Sequence, residues 1–491
     1  MRFEEFIRAH EQDDTAALLL ARERLSRELD GPESFDLAVL TLEGRRRLRK
    51  KVPEWYAIPS LHYPTRLGPE QCSSSATAVL KASIARTVAA EGYRFREAPF
   101  ASLTPSPPNV SCALSEGLSP SGPSPFPCPG VDTLPEPIPS SAPATAPAFR
   151  IADLTGGLGV DSWAFSQVFG EVLYNEMNPA LAEAARHNFA ALGCKNITVR
   201  CRRLTPRDST VKPWNDDLLP QALVKPRNDE GSVAEILGGF KPDVIFLDPA
   251  RRAEDGRKVF RLADCQPDVL QLLPELFEAC PRLLLKLSPM ADITQLAREL
   301  PGLRAVHIVG ADGECKELLL ALERGYSGPY TLTVHDRGAA LAFAPAAKAA
   351  EARGGAALLF EPGKALAKAG MFREIEEAFG LRQAAPSTHL YFGESIPEPL
   401  KPFGKIFVIE EVLPLDGKTY KSLRKRIPQA EITSRNLPLT SDQLRKKLGI
   451  ASGGAHHLFA IPAPEGIICP SPSDSGTPVK GNLLLVTRPM A

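Results

Sequence analysis

Apolar positions follow three different rhythms along this chain. From Phe149 onward, short apolar runs alternate with amphipathic stretches. Phe149 to Ala152, Glu171 to Glu176, Asn196 to Arg200, Lys241 to Asp248 and Arg282 to Pro289 read as strands. Helical patterns run from about Ser162, over Asn178 to Leu192 and over Ile293 to Leu300. Strand and helix in alternation predict a doubly wound α/β domain with a largely parallel sheet. Arg304 to Val309 and Cys315 to Leu322, joined by the turn Gly310 to Glu314, predict a closing antiparallel pair.

Ahead of this region, residues 1 to 98 are patterned as helices. Phe3, Phe6 and Ile7 begin one apolar stripe, and Leu18, Leu19, Leu20 and Leu25 continue a second after a cap at Asp14 or Thr15. Ala76 to Ala90 reads as a further helix, with capping hydroxyls available between Glu70 and Ser75. Behind the α/β region, Tyr330 to Val334, an Ala-rich helix, Leu358 to Pro362, a helix over Phe372 to Phe379 and Thr388 to Phe392 predict an α+β unit. Lys405 to Leu413 opens another, with a helix from Thr419, a strand near Glu431, a helix capped at Thr440 or Ser441, and strands at Leu458 to Ile461 and Leu483 to Thr487. The expected domains are therefore 1–98, 149–326, 327–398 and 399–491. Residues 99–148 are dominated by Pro and Ser, cannot bury enough apolar surface to offset their chain entropy, and are expected to be a disordered insert. A polar stretch after Cys201, reaching to about Gly231, is expected to be a second insert.

Charge changes this picture locally and not globally. Among 491 residues, 58 Lys and Arg balance 58 Asp and Glu, so no whole-protein field draws in a polyanion. Basic surface must be concentrated, and two places qualify: Arg45 to Lys51, with six cations in seven residues, and the last unit, with Lys421, Arg424, Lys425, Arg426, Arg435, Arg445, Lys446 and Lys447. Either could follow a phosphate backbone, and either could be a solvated face. The nine cysteines include no Cys-x-x-Cys pair, so reduced thiols and no metal site are expected. No apolar run approaches the roughly 18 residues of a membrane span. A soluble, cytoplasmic protein without a membrane partner is expected.

The chemistry concentrates at strand ends. Asp153 closes the first strand and is followed by Thr155, Gly156, Gly157 and Gly159. Glycines there let a ligand approach the backbone at the mouth of the sheet. A dinucleotide turn would carry a third glycine, but Asp161 and Ser162 stand there instead. A carboxylate at the mouth repels a pyrophosphate and suits a ligand bearing an ammonium and a sulfonium, which is S-adenosylmethionine. Glu176, ending the second strand, can accept both ribose hydroxyls of an adenosine. Asp248-Pro249 follows a fully apolar strand at the edge where substrate meets cofactor.

The spacing Asp153-x-Thr155-x-Gly157-x-Gly159 resembles the first motif of class I methyltransferases, with Thr155 where a glycine often stands. Together with Glu70-Gln-Cys-Ser-Ser74, Asp248-Pro-Ala-Arg-Arg252, Leu285-Lys-Leu-Ser-Pro-Met290, Gly313-Glu-Cys-Lys-Glu-Leu318, Glu361-Pro362, Lys368-Ala-Gly370, His389-Leu-Tyr391, Arg435-Asn436 and Leu444-Arg-Lys-Lys447, the chain resembles a Bacteroidetes family of class I S-adenosylmethionine-dependent methyltransferases with a C-terminal THUMP-like domain. The resemblance implies a Rossmann-like seven-stranded sheet, an N-terminal helical region, and ferredoxin-like and THUMP-like α+β domains. THUMP-like modules present RNA in other enzymes, so tRNA or rRNA is the expected partner. It also implies that the loop carrying Ser73 and Ser74 closes over the methionine end of the cofactor, although simple helix capping explains these serines equally well. Asp248 and the Pro249 carbonyl are expected to accept the hydrogens of an exocyclic amine, with Arg251 stacking on the base or binding phosphate. Arg252, Lys286, Arg435, Arg445 and Lys446 are expected to hold the substrate. The family's adenine-side acid is displaced or missing in the run Cys201 to Asp208. Methylation at a pyrimidine carbon with Cys265 as nucleophile, methylation of a protein or small molecule, and RNA binding without catalysis stay open.

Overall fold

The computed structural model describes residues 2–29, 31–90, 149–207, 230–251, 262, 265–343, 357–462 and 481–490. The Pro/Ser-rich stretch, most of the second polar stretch, and Arg252 lie outside these residues.

Nine strands between Arg150 and Phe343 form one sheet. They are β1 (Arg150–Asp153), β2 (Glu171–Asn175), β3 (Ile197–Arg200), β4 (Val244–Leu247), β5 (Arg282–Leu287), β6 (Leu303–Ala311), β7 (Glu314–Glu323), β8 (Thr331–Asp336) and β9 (Ala339–Phe343). Their order is β9-β8-β6-β7-β5-β4-β1-β2-β3. β1 pairs in parallel with β2 and β4, and β4 in parallel with β5, so the carboxyl ends of all four share one edge. β7 runs antiparallel to both β5 and β6. Every residue of β4 is buried, as a central parallel strand covered on both faces requires. The helix after β1 starts at Val160, earlier than expected, because Gly159 adopts a left-handed conformation (φ 95°) and closes the turn. Asn178 caps the Pro179–Ala191 helix, its side chain accepting from the Ala180 and Leu181 amides.

The sheet contains the seven expected strands and two more. β8 pairs in parallel with β6, and β9 pairs with β8, so residues expected to open the next domain extend this one. Between Val334 and Leu358, where an Ala-rich helix was expected, Ala339–Phe343 is a strand and residues 344–356 lie outside the described residues, so the helix itself falls largely outside them. A second sheet takes in the described C-terminal strands: β10 (Leu358–Pro362), β11 (Arg382–Gln383), β12 (Tyr391–Gly393), β13 (Gly404–Pro414), β14 (Gln429–Ser434), β15 (Ala451–Ile461) and β16 (Leu483–Pro489), in the order β11-β12-β10-β13-β16-β15-β14. The two expected C-terminal units thus share one continuous sheet, joined where β10 and β13 pair antiparallel. The Lys364–Ala369 helix buries Ala365 and Leu366 in the core of the first sheet, so the two sheets are packed into one body.

The N-terminal helices have a small core of their own around Phe6, Ile7, Leu18, Leu25, Phe35 and Leu42. Asp14 is the cap of the Thr15–Leu20 helix. Only Leu18 of its leucines points inward, since a helix this short presents one face, and Leu20 is 91 % exposed. Asn188 ties this region to the sheet, accepting from the His62 amide at 2.7 Å and donating to its carbonyl at 2.9 Å.

Candidate active site

The turn after β1 is held from beneath by Asp153. The carboxylate is 1 % exposed and accepts from the Thr155 amide at 3.1 Å and the Ser162 hydroxyl at 2.6 Å. Burial pushes its pKa up to about 7, with the Ser162 bond opposing and the Asp161 charge adding to the shift. The expectation of a carboxylate facing a ligand at the mouth is corrected: Asp153 lies under the turn and shapes it.

The three glycines differ in why they are glycines. A Cβ on Gly156 would stand 2.1 Å from the Tyr174 ring, and one on Gly159 would stand 2.8 Å from Phe189. At those two positions the missing side chain makes room for packing. Gly157, at φ 55°, has nothing within 4 Å of its would-be Cβ. Its amide donates to Glu176 Oε2 at 2.8 Å, and its carbonyl accepts from the Tyr174 hydroxyl at 2.6 Å. Glu176 is buried, and its other oxygen accepts from the Asn178 amide at 2.8 Å. Burial raises its pKa against these backbone bonds. A carboxylate offers about four acceptor positions, so Glu176 retains capacity for hydroxyl donors.

Thr155 is more than a glycine substitute. Its Oγ1 accepts from the Asp248 amide at 2.6 Å, binding the first turn to the Asp-Pro loop at the end of β4. From Asp248 a chain of alternating charges runs inward. Lys286, on β5, donates to Asp248 Oδ2 and lies 3.9 Å from Glu317 of β7. Glu317 accepts from Lys81 at 3.1 and 3.2 Å, and Lys81 reaches Asp161 at 3.1 Å and the Ser73 hydroxyl. Ser73 in turn donates to Asp161 Oδ2 at 2.9 Å. Burial alone would lower the Lys286 pKa, but Asp248, Glu317 and Asp161 together hold it above the usual lysine value. Burial raises Glu317, with Lys81 and Lys286 opposing. Two ammoniums face three carboxylates here, which leaves one negative charge uncompensated.

A cavity of about 700 Å³ opens beside this chain. Its walls bring together Ser73, Ser74, Asp248, Pro249 and Lys286 from the sequence-based set. Ser74 is the cap of the Ser75–Ala89 helix, accepting from the Thr77 amide, so for this serine the capping explanation holds. Cys265 also lines the cavity. The Arg251 backbone pairs with Cys265, and its side chain lies outside the described residues, as does all of Arg252. Arg435, Arg445 and Lys446 do not join this site. Arg435 pairs with Glu361 at 2.8 Å, and Arg445 donates to the Ala430 carbonyl and pairs with Glu431 at 3.3 Å. Two cations expected on RNA are thus engaged within the second sheet's domain, while Lys446 is exposed on the Ser441–Leu448 helix. Sequence reasoning gave no role to Lys81, Asp161 or Glu317. A signal existed for Lys81, which falls on the apolar stripe of its helix with Ala78, Ala82 and Ala85.

Residues 404–470 match the THUMP domain-like family, and residues 358–399 match a ferredoxin-like domain family. A crystal structure of a Porphyromonas gingivalis W83 protein described as a methyltransferase superposes with a TM-score of 0.68 at 25% identity, covering 100% of this chain and 98% of that one. The chain is an S-adenosylmethionine-dependent methyltransferase. Uncharacterized S-adenosylmethionine-dependent methyltransferases from two Mycobacterium tuberculosis strains are 24% identical over 328 residues, covering 61% of this methyltransferase and 85% of theirs. The residues fit that cofactor. Gly157 leaves open space over the turn, Glu176 keeps acceptor capacity for ribose hydroxyls, and the uncompensated carboxylate charge suits a sulfonium. No helix among the described residues is long and apolar enough to cross a membrane.

Proposed function

We propose that this methyltransferase modifies an exocyclic amine on a base of a structured RNA such as tRNA or rRNA. The observation that carries the proposal is the placement of Asp248, on the wall of the cavity and bonded through its amide to the cofactor turn. When bound, S-adenosylmethionine supplies an electrophilic methyl group to an in-line displacement. The protein's task is then to align the amine and exclude water. Thr155 fixes the Asp248 backbone, and Lys286 donates to one oxygen of its carboxylate, which orients the group as an acceptor. Asp248 and the Pro249 carbonyl are assigned to the two amine hydrogens, and Arg251 and Arg252 to the nucleotide. The THUMP-like match supports RNA as the substrate class.

Incubating methyl-labelled cofactor with RNA, protein and small-molecule fractions from cells lacking the gene tests this. Label is expected in one nucleoside of the RNA fraction, identified by mass spectrometry as an N-methylated base. Asp248→Ala should abolish transfer while cofactor affinity persists; label confined to protein or small molecules refutes the RNA assignment. Cys265 in the same cavity wall favours a second reading, in which its thiolate adds to pyrimidine C6 and C5 takes the methyl group. The added thiolate is later expelled as the C5 proton leaves. A C5-methylated product that disappears in Cys265→Ser would establish that alternative.

A further inference from the structure

We propose that the C-terminal end of the Pro32–Lys51 helix is the phosphate-binding lip of the substrate cavity. Lys50 and Lys51, with Arg47 beside them, take the sugar–phosphate backbone of an RNA whose base reaches toward Asp248. The inference rests on the RNA reading above and adds where the strand enters.

In a chain of zero net charge, six cations in seven residues call for an explanation. The structure divides them. Arg45 is buried, donating to the Ile58 carbonyl and paired with Glu11 at 3.0 Å. Arg46 donates to Thr15 and to the Asp13 carbonyl. Those two hold the N-terminal helices together. Arg47, Lys50 and Lys51 instead line the cavity that also contains Asp248, Pro249 and Lys286. Arg47 is offset by Glu70 at 2.6 Å. Lys51 donates to the carbonyls of Glu70 (2.6 Å) and Pro69 (3.4 Å), which orient its ammonium without cancelling its charge. Lys50 is exposed, and among the described residues no carboxylate pairs with either lysine. Lys316, also lining the cavity, stands 3.8 Å from Asp312.

The cavity is therefore polarised. Its interior, at Asp248, Lys286 and Glu317, carries the surplus carboxylate, and its rim carries surplus cations. A nucleotide has the matching polarity, with a hydrogen-donating amine at one end and a phosphodiester at the other. A neutral small molecule would leave the rim unused. Lysines in a last helical turn also complement the helix dipole, which is the purely structural explanation, and binding measurements separate the two.

The test is equilibrium binding of bulk bacterial tRNA to the full-length protein in the presence of S-adenosylhomocysteine. Salt is varied between about 50 and 200 mM, for wild type, Lys50→Ala and Lys50→Ala/Lys51→Ala. Each phosphate contact removed should lower the slope of log affinity against log salt by about 1. S-adenosylhomocysteine affinity should be unchanged, and Lys50→Arg should keep the wild-type slope. Intact tRNA binding with an unaltered slope overturns the lip while sparing the RNA reading, even if the variants melt earlier. Absent or salt-insensitive tRNA binding by the wild type removes both. Lys50 is exposed, so the single variant keeps the test decisive if the double variant fails to fold.

Discussion

Replacing Lys81 with Met removes the cation around which the inner charges are arranged. The ammonium is fully buried, lying 3.1 Å from Asp161 and 3.1 and 3.2 Å from the two Glu317 oxygens. Methionine fills similar volume, so the loss is electrostatic and leaves a 5 % exposed Glu317 with only Lys286, 3.9 Å away. Breaking one side of a buried pair costs roughly 3–5 kcal/mol. The cost should also depend on pH in a definite direction. The Glu317 pKa already lies above 4.5 in the folded protein because burial outweighs its lysine partners, and losing Lys81 raises it further. As pH falls through that raised value, the folded variant takes up a proton that the unfolded chain does not yet bind. The deficit relative to wild type should shrink by up to about 1.4 kcal/mol per pH unit. Urea unfolding followed by emission of Trp55, buried in the N-terminal region, and of Trp163, packed against it, reports on this part of the molecule. The measurement is the Lys81→Met deficit in the first transition at neutral and mildly acidic pH, beside Lys81→Met/Glu317→Leu, which should recover part of it. A deficit below about 1 kcal/mol, or one that does not change with pH, would refute a buried charge network.

Other perturbations probe single joints of the site. Gly156→Ala should destabilise by about 3 kcal/mol or more, because the new Cβ meets the buried Tyr174 ring at 2.1 Å. Gly157→Ala, strained only by its positive φ, should cost about 1–2 kcal/mol and instead weaken cofactor binding; thermal shifts with and without S-adenosylhomocysteine distinguish the pair. Thr155→Val leaves the Asp248 amide without its acceptor, costing about 1–3 kcal/mol and lowering kcat with cofactor affinity intact, as isothermal titration and initial rates would show. Burial depresses His62 to about 4, His307 to about 3 and His335 to about 4, with His187 adding to the first and His335 to the second. Their unfolded counterparts protonate near 6.5, so their contribution is intact above that pH and lost toward pH 4. Each should contribute up to about 1.4 kcal/mol per pH unit in that window. Denaturant midpoints that stay flat between pH 7 and 5 would contradict this.

The parts of the fold that were legible in the sequence are those whose burial is written into a short window. β4 is a run of four buried apolar residues ending in Asp-Pro, and it could be placed at the centre of a parallel sheet from that run alone. The residue pattern of β8 reads equally well as a strand of either sheet, because its hydrogen-bonding partner is not encoded in its own window; only pairing with β6 assigns it to the first. Charge was harder to read for a related reason. The partners of Arg435 and Arg445, Glu361 and Glu431, are not evident from the sequence, and neither is Glu317, 236 residues from Lys81, which closes on it. Glycine spacing suggested ligand contact at Gly156 and Gly159, yet Tyr174 and Phe189 occupy the space their missing side chains leave. The electrostatic case for a cationic cofactor survives this correction in altered form. A single carboxyl under the turn, with a pKa near 7, could not select a sulfonium by itself. Three further carboxylates outnumber the two lysines tied to them, and Lys81 and Lys286 hold that surplus in place before any ligand arrives. Lys81 ties the Ser73 loop to the helix after the turn, Lys286 holds the Asp248 carboxylate, and Thr155 joins the turn to the Asp248 backbone, so the three segments form one connected set of contacts.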